Sequence, residues 1–263
     1  SAIAGVANIG SDRNWCGNPM AAANWYAFGR LAWDHSLSSE MIADEWTRQT
    51  FSNDPILTKT VDSMLLDSRE TYVDYSMPLG LHHIMAAGHH YGPGPWVDNL
   101  GRADWNATYY HHAEEKGVGF ERGPAGTNAV AQYAPQLAGV YGDVATCPEN
   151  LLLWFHHVPW DHPMKSGRTL WVEMALRYQR GVDGVRGMQK SWDALAGRVD
   201  PERFRFVKAY LARQEHDARI WRDACLQYFQ QFSKQPLPEG VEKPEEPLSS
   251  YESVKSKIVP GNP

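Results

Sequence analysis

The stretch PERFRFVKAYLARQEHDARIWRDACLQYFQQF, residues 201–232, decides the fold class of this chain. Its apolar residues recur at steps of three and four, the spacing that places side chains on one face of an α-helix. This stripe consists of Phe204, Val207, Leu211, Ala218, Trp221, Cys225, Tyr228 and Phe232. Asp200 and Pro201 stand where a helix N-cap and a first helical residue are preferred. A long amphipathic helix is therefore predicted from residue 201 to about residue 232.

Similar cap and proline signals predict more helices upstream. Ser166 is expected to cap a long helix that is interrupted near residues 181–187, where three glycines occur. Cys147 and Pro148 are expected to begin a short helix that ends near residue 157. The fold class predicted from these patterns is mainly α-helical with little strand.

The N-terminal third begins with a different pattern. Residues 2–9, AIAGVANI, are small and β-branched, which predicts a short buried strand. The chain starts inside this apolar run and without Met, so we interpret it as a piece of a longer polypeptide. Helices are predicted after it, at about 19–33, 39–51 and 55–75, and the expected core positions of the third include Ile56, Val61, Leu65 and Tyr72.

Charge and composition argue against some classes of partner. The 263 residues carry 25 Lys and Arg against 31 Asp and Glu, a formal charge of −6, so no nucleic-acid partner is expected. The three cysteines give neither a disulfide framework nor a metal motif, and they do not decide the compartment. Eleven tryptophans indicate either a sugar-binding or apolar ligand surface or a large aromatic core.

Residues 76–106 carry the strongest local signal for a binding site. Their glycines and prolines exclude a continuous helix, and a long loop in a compact domain usually has a function. Trp96 can offer its ring face to a sugar, while His90, Tyr91 and Arg102 can donate to hydroxyls or to a carboxylate. The alternative is that Trp96 fills a gap in the core beneath a rigid loop.

Histidine pairs are the second feature with possible chemistry. They are His82-His83, His89-His90, His111-His112 and His156-His157. Adjacent side chains point about 100° apart on a helix and to opposite faces on a strand, so one pair rarely gives two ligands to one ion. No HExxH motif, nucleophile elbow or phosphate-binding glycine motif is present. We therefore predict that no metal is bound through these pairs.

Loop aspartates are the remaining candidates for hydrolytic chemistry. They are Asp12, Asp98, Asp104 and Asp161. Glycosidases need two carboxyl groups at a defined separation, which sequence spacing cannot establish. Such aspartates are more often helix caps or turn residues, and we expect that role here.

Five long strings are more specific than any of these patterns. They are ANIGSDRNWCG (7–17), ANWYAFGRLAW (23–33), PLGLHHIM (78–85), HHYGPGPW (89–96) and FHHVPWDHPMKSGRTLW (155–171). Together they resemble the C-terminal region of the α-glucuronidases of glycoside hydrolase family 67. The resemblance covers nearly all of residues 1–235.

The resemblance implies an inverting enzyme that needs no cofactor and removes α-1,2-linked glucuronic or 4-O-methyl-glucuronic acid from xylo-oligosaccharides. It also implies a β-rich N-terminal domain, a (β/α)8 barrel with the acid and base carboxylates, and a helical C-terminal domain. That last domain would wrap the barrel, supply much of a homodimer surface and add an aromatic wall to the substrate pocket. No catalytic residue is then expected in this chain, and the matching wall residue is Trp96.

The predicted domain organisation follows from this resemblance. Residues 1–35 would be the end of the barrel, with residues 1–10 as its last strand; residues 36–235 would be the helical domain; residues 236–263 would be a tail rich in Pro and Glu. Two other functions stay open: a free-standing carbohydrate-binding or dimerisation module, and an enzyme with a histidine-bound metal.

Overall fold

A computed structural model describes residue 5, residues 16–87 and residues 92–253 of the chain. These parts are mainly helical, and β-structure among them is limited to isolated bridges, which confirms the predicted fold class. The α-helices are α1 (Ala22–Trp33), α2 (Ser39–Thr50), α3 (Pro55–Ser76), α4 (Ala107–His111), α5 (Pro135–Tyr141), α6 (Leu152–Phe155), α7 (Leu170–Asp193), α8 (Pro201–Ser233) and α9 (Leu248–Glu252). The strand predicted near the N-terminus lies outside the described residues.

N-caps are present at four helix starts, including the predicted one at Asp200. Their side-chain oxygens accept backbone N–H groups of the first turn, which would otherwise lack partners. Asn18 accepts from Met20 at 2.9 Å, Ser38 from Met41 at 3.2 Å, Asp54 from Ile56 at 2.9 Å and Asp200 from Arg203 at 3.0 Å. Asn18 caps a short 3-10 turn, Pro19–Ala21, that leads directly into α1.

Helix α7 differs from its prediction in two ways. It runs without interruption through its glycines, and it begins after Thr169 rather than at Ser166. A Cβ on Gly181 would lie 2.3 Å from the Tyr75 backbone nitrogen, so this glycine allows the α3 backbone to approach α7 closely. The hydroxyl of Ser166 instead donates to Glu173 at 2.9 Å. The predicted interruption and the predicted cap are therefore wrong.

The chain divides into two compact units, each with its own core. Unit 1 consists of residues 1–71 and 183–216, and unit 2 of residues 72–182 and 217–263. The core of unit 1 includes Trp46, Leu57, Val61, Met64, Trp192 and Val207. The core of unit 2 includes Leu152, Leu153, Trp171, Tyr178, Cys225 and Phe229. These units do not test the predicted domain boundaries, which stay predictions.

The first part of the predicted tail is packed on unit 2. The Trp171 indole donates to the carbonyl of Pro236 at 2.9 Å, and the Tyr251 hydroxyl donates to Asp223 at 3.2 Å. Arg222, which is almost fully buried, contacts Glu242 of the tail at 2.6 Å. Residues 236–253 therefore belong to the packed structure.

None of the helices described is long and apolar enough to cross a membrane.

Candidate functional site

Backbone contacts fix the shape of the Gly-Pro loop, residues 92–106. The amide of Gly94 donates to Ile84 at 2.9 Å, and the amide of Ala86 donates to Gly92 at 3.0 Å. A Cβ on Gly94 would lie 2.6 Å from the Cα of Ala86, so only glycine permits this approach. Gly92 adopts a φ of +73°, which other residues rarely take. The loop is thus held against residues 84–86.

Trp96 lies between two anchored peptide groups of this loop. The carbonyl of Pro95 accepts from Nε2 of the buried His111 at 2.7 Å, and the carbonyl of Val97 accepts from the Thr108 amide at 3.2 Å. Burial lowers the pKa of His111 to about 4, so its ring is neutral near pH 7 and acts as a donor through Nε2. The indole of Trp96 is half-buried, and these hydrogen bonds fix the backbone that carries it.

An open cavity of about 710 Å³ lies beside the Gly-Pro loop in unit 2. This volume is within the usual range for small-ligand pockets. Asp98, Ala103 and Asn106 of the loop line one part of it, and the other lining residues are Thr108, Tyr109, His112, Ala113, Glu114, Gly119, Glu121 and His157. Carboxylates, imidazoles and a phenol can bind hydroxyl groups, so the lining suits a polar ligand.

His157 has a free acceptor on this cavity. Its Nδ1 lies 2.8 Å from the Gly119 carbonyl, so in the neutral ring Nδ1 carries the proton and Nε2 the lone pair. Nε2 is buried and has no hydrogen-bond partner among the described residues; Glu114 Oε1 is 3.5 Å away, at ion-pair but not hydrogen-bond geometry. Because Nε2 is buried, a ligand hydroxyl can donate to it only if neighbouring groups shift.

The described histidine pairs at 111–112 and 156–157 divide between two environments. His111 and His156 are buried, and His156 Nε2 contacts the Tyr141 carbonyl at 2.8 Å. His112 and His157 line the cavity. These two pairs therefore separate their rings, as the spacing predicted, whereas the rings of His82 and His83 lie 6.2 Å apart and both contact Tyr110. No group of three potential metal ligands occurs in the part of the chain described.

A second polar site lies on residues 117–122, which we call the extended segment. Its backbone pairs with α6 and with the residues after it, since the amide of Arg122 donates to Phe155 at 2.8 Å and that of Val118 to Val158 at 3.0 Å. The Arg122 guanidinium lies 4.0 Å from the ring centre of Phe120 and 3.8 Å from that of Trp154. One of its nitrogens also donates to the Trp154 carbonyl. The cation is thus enclosed by two aromatic rings.

Comparison with known families gives a direct match. The profile described as "Glycosyl hydrolase family 67 C-terminus" matches residues 16–242. The chain belongs to glycosyl hydrolase family 67. The matched region includes the Gly-Pro loop, the cavity and the extended segment, and this confirms the resemblance inferred from the five sequence strings.

Curated relatives of the chain include α-glucuronidases of fungi. Probable alpha-glucuronidase A of Aspergillus clavatus is 34% identical over 233 residues, which is 88% of this chain and 27% of the relative. Alpha-glucuronidase A of Aspergillus tubingensis is 34% identical over 229 residues, 86% of this chain and 27% of the relative. Alpha-glucuronidase A of Emericella nidulans is 33% identical over 240 residues, 90% and 27% respectively. The chain therefore spans about a quarter of the length of these relatives.

Of the four predicted substrate-binding residues, the structure describes Trp96 and Arg102. Trp96 is half-buried beside the cavity-lining loop residues. Arg102 is exposed and is bound through Nε and Nη2 to Asp104 at 2.9 and 2.6 Å, so it can bind another carboxylate in this way only if that pair opens. His90 and Tyr91 lie outside the described residues, as does the loop aspartate Asp12.

Sequence reasoning missed Arg122 and the cavity role of His157. Residues 113–146 look loop-rich, and the sequence does not show that Arg122 meets Trp154, 32 positions away. The one local signal is the alternation of Val118, Phe120 and Arg122, which places them on one face of an extended segment. In the stretch between Trp154 and α7, Trp160 is buried, and its indole donates to the Glu114 carbonyl at 2.8 Å.

Proposed function

We propose that this chain is the C-terminal, non-catalytic part of an inverting α-glucuronidase. The complete enzyme would release glucuronic or 4-O-methyl-glucuronic acid from decorated xylo-oligosaccharides. The observation that carries the proposal is the match of most of the chain to about a quarter of each α-glucuronidase relative. The catalytic carboxylates would then lie in the remaining three quarters, and no cofactor would be needed.

In this proposal the chain adds part of the substrate pocket wall. Two hydrogen bonds fix the peptide groups on either side of Trp96, so presenting its ring to a sugar would cost little conformational entropy. The cavity beside the same loop carries polar groups suited to hydroxyls. His90, Tyr91 and Arg102 remain proposed donors, and for Arg102 the Asp104 pair would have to open during binding.

Hydrolysis assays of the chain and of the complete enzyme test this division of labour. The substrate is a xylo-oligosaccharide with glucuronic acid on its non-reducing-end xylose, and proton NMR follows the anomer released. We expect the complete enzyme to release the inverted anomer and the isolated chain to release none. Release of uronic acid by the isolated chain would contradict the proposal.

A free-standing carbohydrate-binding module is the second candidate, favoured by the open polar cavity. A titration of the isolated chain with undecorated xylo-oligosaccharides discriminates between the two. Saturable binding by the chain alone favours the module, whereas a pocket wall completed by other domains predicts no saturable binding.

The proposal also includes a homodimer of the complete enzyme. Its contacts would come largely from helices after about residue 165, of which α8 exposes Phe206 and Tyr210, stacked with ring centres 4.7 Å apart. Sedimentation velocity of the complete enzyme at micromolar concentration tests this point. A monomer under those conditions would overturn the dimer, and a Phe206→Ser change should weaken it if α8 takes part.

A further inference from the structure

Arg122 differs from the other strongly buried arginine of unit 2 in its lack of an acidic partner. Arg222, 1% exposed, contacts Asp223 at 2.7 Å and Glu242 at 2.6 Å. Arg122, 8% exposed, makes no ion pair in the part of the chain that the structure describes. An unpaired buried charge is costly, because the guanidinium loses water without gaining a carboxylate. Such a group is a candidate for binding an anion.

The geometry around Arg122 leaves one edge of the guanidinium available. The rings of Phe120 and Trp154 pack on the guanidinium, with ring centres 4.0 and 3.8 Å from its carbon, and Nη1 donates to the Trp154 carbonyl. Nε and Nη2 have no hydrogen-bond partner within the described residues, and neither is sealed from solvent. This is the edge that presents two parallel N–H groups, the arrangement that matches the two oxygens of a carboxylate.

Two further rings contact Trp154, the tryptophan that packs on Arg122. Tyr110 is stacked with Trp154, with ring centres 6.1 Å apart and planes 15° apart, and His82 meets Trp154 edge-on at 5.1 Å. Tyr110 and Trp154 are half-buried and His82 is exposed, so a ligand could reach them. Ring faces of this kind pack against the C–H groups of a sugar.

We propose that Arg122 anchors a binding site for a carboxylate, with Trp154 and Tyr110 as its aromatic border. A single guanidinium in a chain of formal charge −6 favours a monoanion over a phosphate dianion. The carboxylate belongs either to a sugar acid in solution or to an acidic side chain from the rest of a longer enzyme. Arg122, Trp154 and Tyr110 do not line the cavity described above, but Phe120 contacts two of its lining rings, Tyr109 and His112, so the two sites adjoin. The proposed site does not depend on the function proposed above.

Calorimetric titration of the 263-residue chain with sodium glucuronate at constant ionic strength tests the site. We expect saturable binding of glucuronate, weaker binding of acetate and none of glucose, which lacks the carboxylate. Arg122→Lys keeps the charge but loses the two-pronged edge, so the affinity should fall about tenfold or more. Arg48→Lys changes an exposed arginine paired with Asp44 and should leave the affinity unchanged.

Two results would overturn the site: no saturable glucuronate binding by the wild-type chain, or equal affinities of the wild type and Arg122→Lys. If the lysine variant does not fold, Arg122→Gln keeps an amide donor without a buried charge and should show the same loss. Should neither variant fold, the side-chain Nε–H NMR signals of the wild type decide. Glucuronate must then shift a slowly exchanging arginine signal, and glucose must not.

The same titration of the complete enzyme distinguishes the two sources of the carboxylate. Glucuronate binding that persists there and depends on Arg122 identifies a sugar acid as the ligand. Binding that is present in the chain but lost in the complete enzyme shows that an internal carboxylate occupies the site. Failure of the titration would leave the proposed hydrolase function untouched, since that function is tested by product release.

Discussion

Arg102 and Arg122 both lie over tryptophan rings, yet the regions that hold them differ. In the Gly-Pro loop, Arg102 is exposed, lies 5.3 Å from the centre of Trp105 and is paired with Asp104 two residues away. In the extended segment, Arg122 is buried, and it meets a tryptophan 32 positions away without an acidic partner. The first contact joins neighbouring residues, and its guanidinium already has a carboxylate partner. The second forms only in the folded chain, and its guanidinium keeps N–H groups that can bind a ligand.

The two regions also differ in what holds them in place. The Gly-Pro loop is fixed by backbone contacts around glycines and by one buried histidine, so its shape depends on a few positions. The extended segment is fixed by main-chain pairing with residues 153–158 and by ring contacts on both sides of a cation. Substitution of a single glycine should therefore destabilise the loop. The extended segment should instead be destabilised when the planar guanidinium of Arg122 is replaced by a cation of another shape.

The largest expected effect concerns His111 under the loop. Burial lowers its pKa from 6.5 to about 4, so folding favours the neutral ring. The resulting stability is complete above pH 6.5 and is lost as the pH falls towards 4, by on the order of 3 kcal/mol. Denaturant unfolding at pH 7 and pH 4.5 should show this loss in the wild type and a smaller loss in His111→Gln. His216→Gln, at an exposed position on α8, is the control, and identical pH dependence of all three proteins would contradict the assignment.

A smaller effect is expected at Gly94. The added methyl group of Gly94→Ala would lie 2.6–2.7 Å from the backbone of residues 85 and 86, so the loop must shift, at a cost of roughly 1–3 kcal/mol. Gly101→Ala in the same loop meets no atom within 4 Å and should leave the stability unchanged or slightly higher. Thermal unfolding of the two variants measures the difference. Equal melting temperatures would show that the loop is not held by this backbone contact.

A similar or smaller change in stability should distinguish Arg122 from Arg102. Arg122→Lys loses the planar group between two rings, which should lower the free energy of unfolding by about 2 kcal/mol. Arg102→Lys changes an exposed ion pair with Asp104 and should alter the free energy of unfolding by less than about 0.5 kcal/mol. Urea unfolding of both variants makes the comparison. A loss at Arg102 as large as at Arg122 would remove the distinction between the regions.

Helix positions could be predicted from sequence because their signals are local. Caps at Asn18, Ser38, Asp54 and Asp200 and the stripe on α8 describe interactions within a few residues. Predictions that depended on a partner element were less successful. Ile56 and Tyr72 are 55% and 46% exposed, because the buried face of α3 runs through Leu57, Val61 and Met64 instead. Propensity alone predicts that glycines interrupt α7, whereas Gly181 is required by the close approach of α3.

The candidate site shows the same limit. The composition of the Gly-Pro loop identified a rigid segment around Trp96, but it did not reveal that the guanidinium of Arg102 is taken by Asp104. Arg122, Trp154 and His157 became candidates only through contacts between distant parts of the chain. Sequence spacing carries no information on such contacts unless both partners lie on one regular element.

The role of Trp96 in the complete enzyme is the most direct test of the account. Trp96→Ala should lower kcat/KM on glucuronic-acid-decorated xylo-oligosaccharide by one to three orders of magnitude, roughly 1.4–4 kcal/mol of transition-state binding. Trp96→Phe, which keeps a ring, should lose less, and the melting temperature of both should stay close to that of the wild type because the indole is only half-buried. Measuring kcat/KM and melting temperature on the same samples decides the question. A loss of about 3–5 kcal/mol of stability in Trp96→Ala with unchanged kinetics would mean that Trp96 packs the core and does not contact substrate.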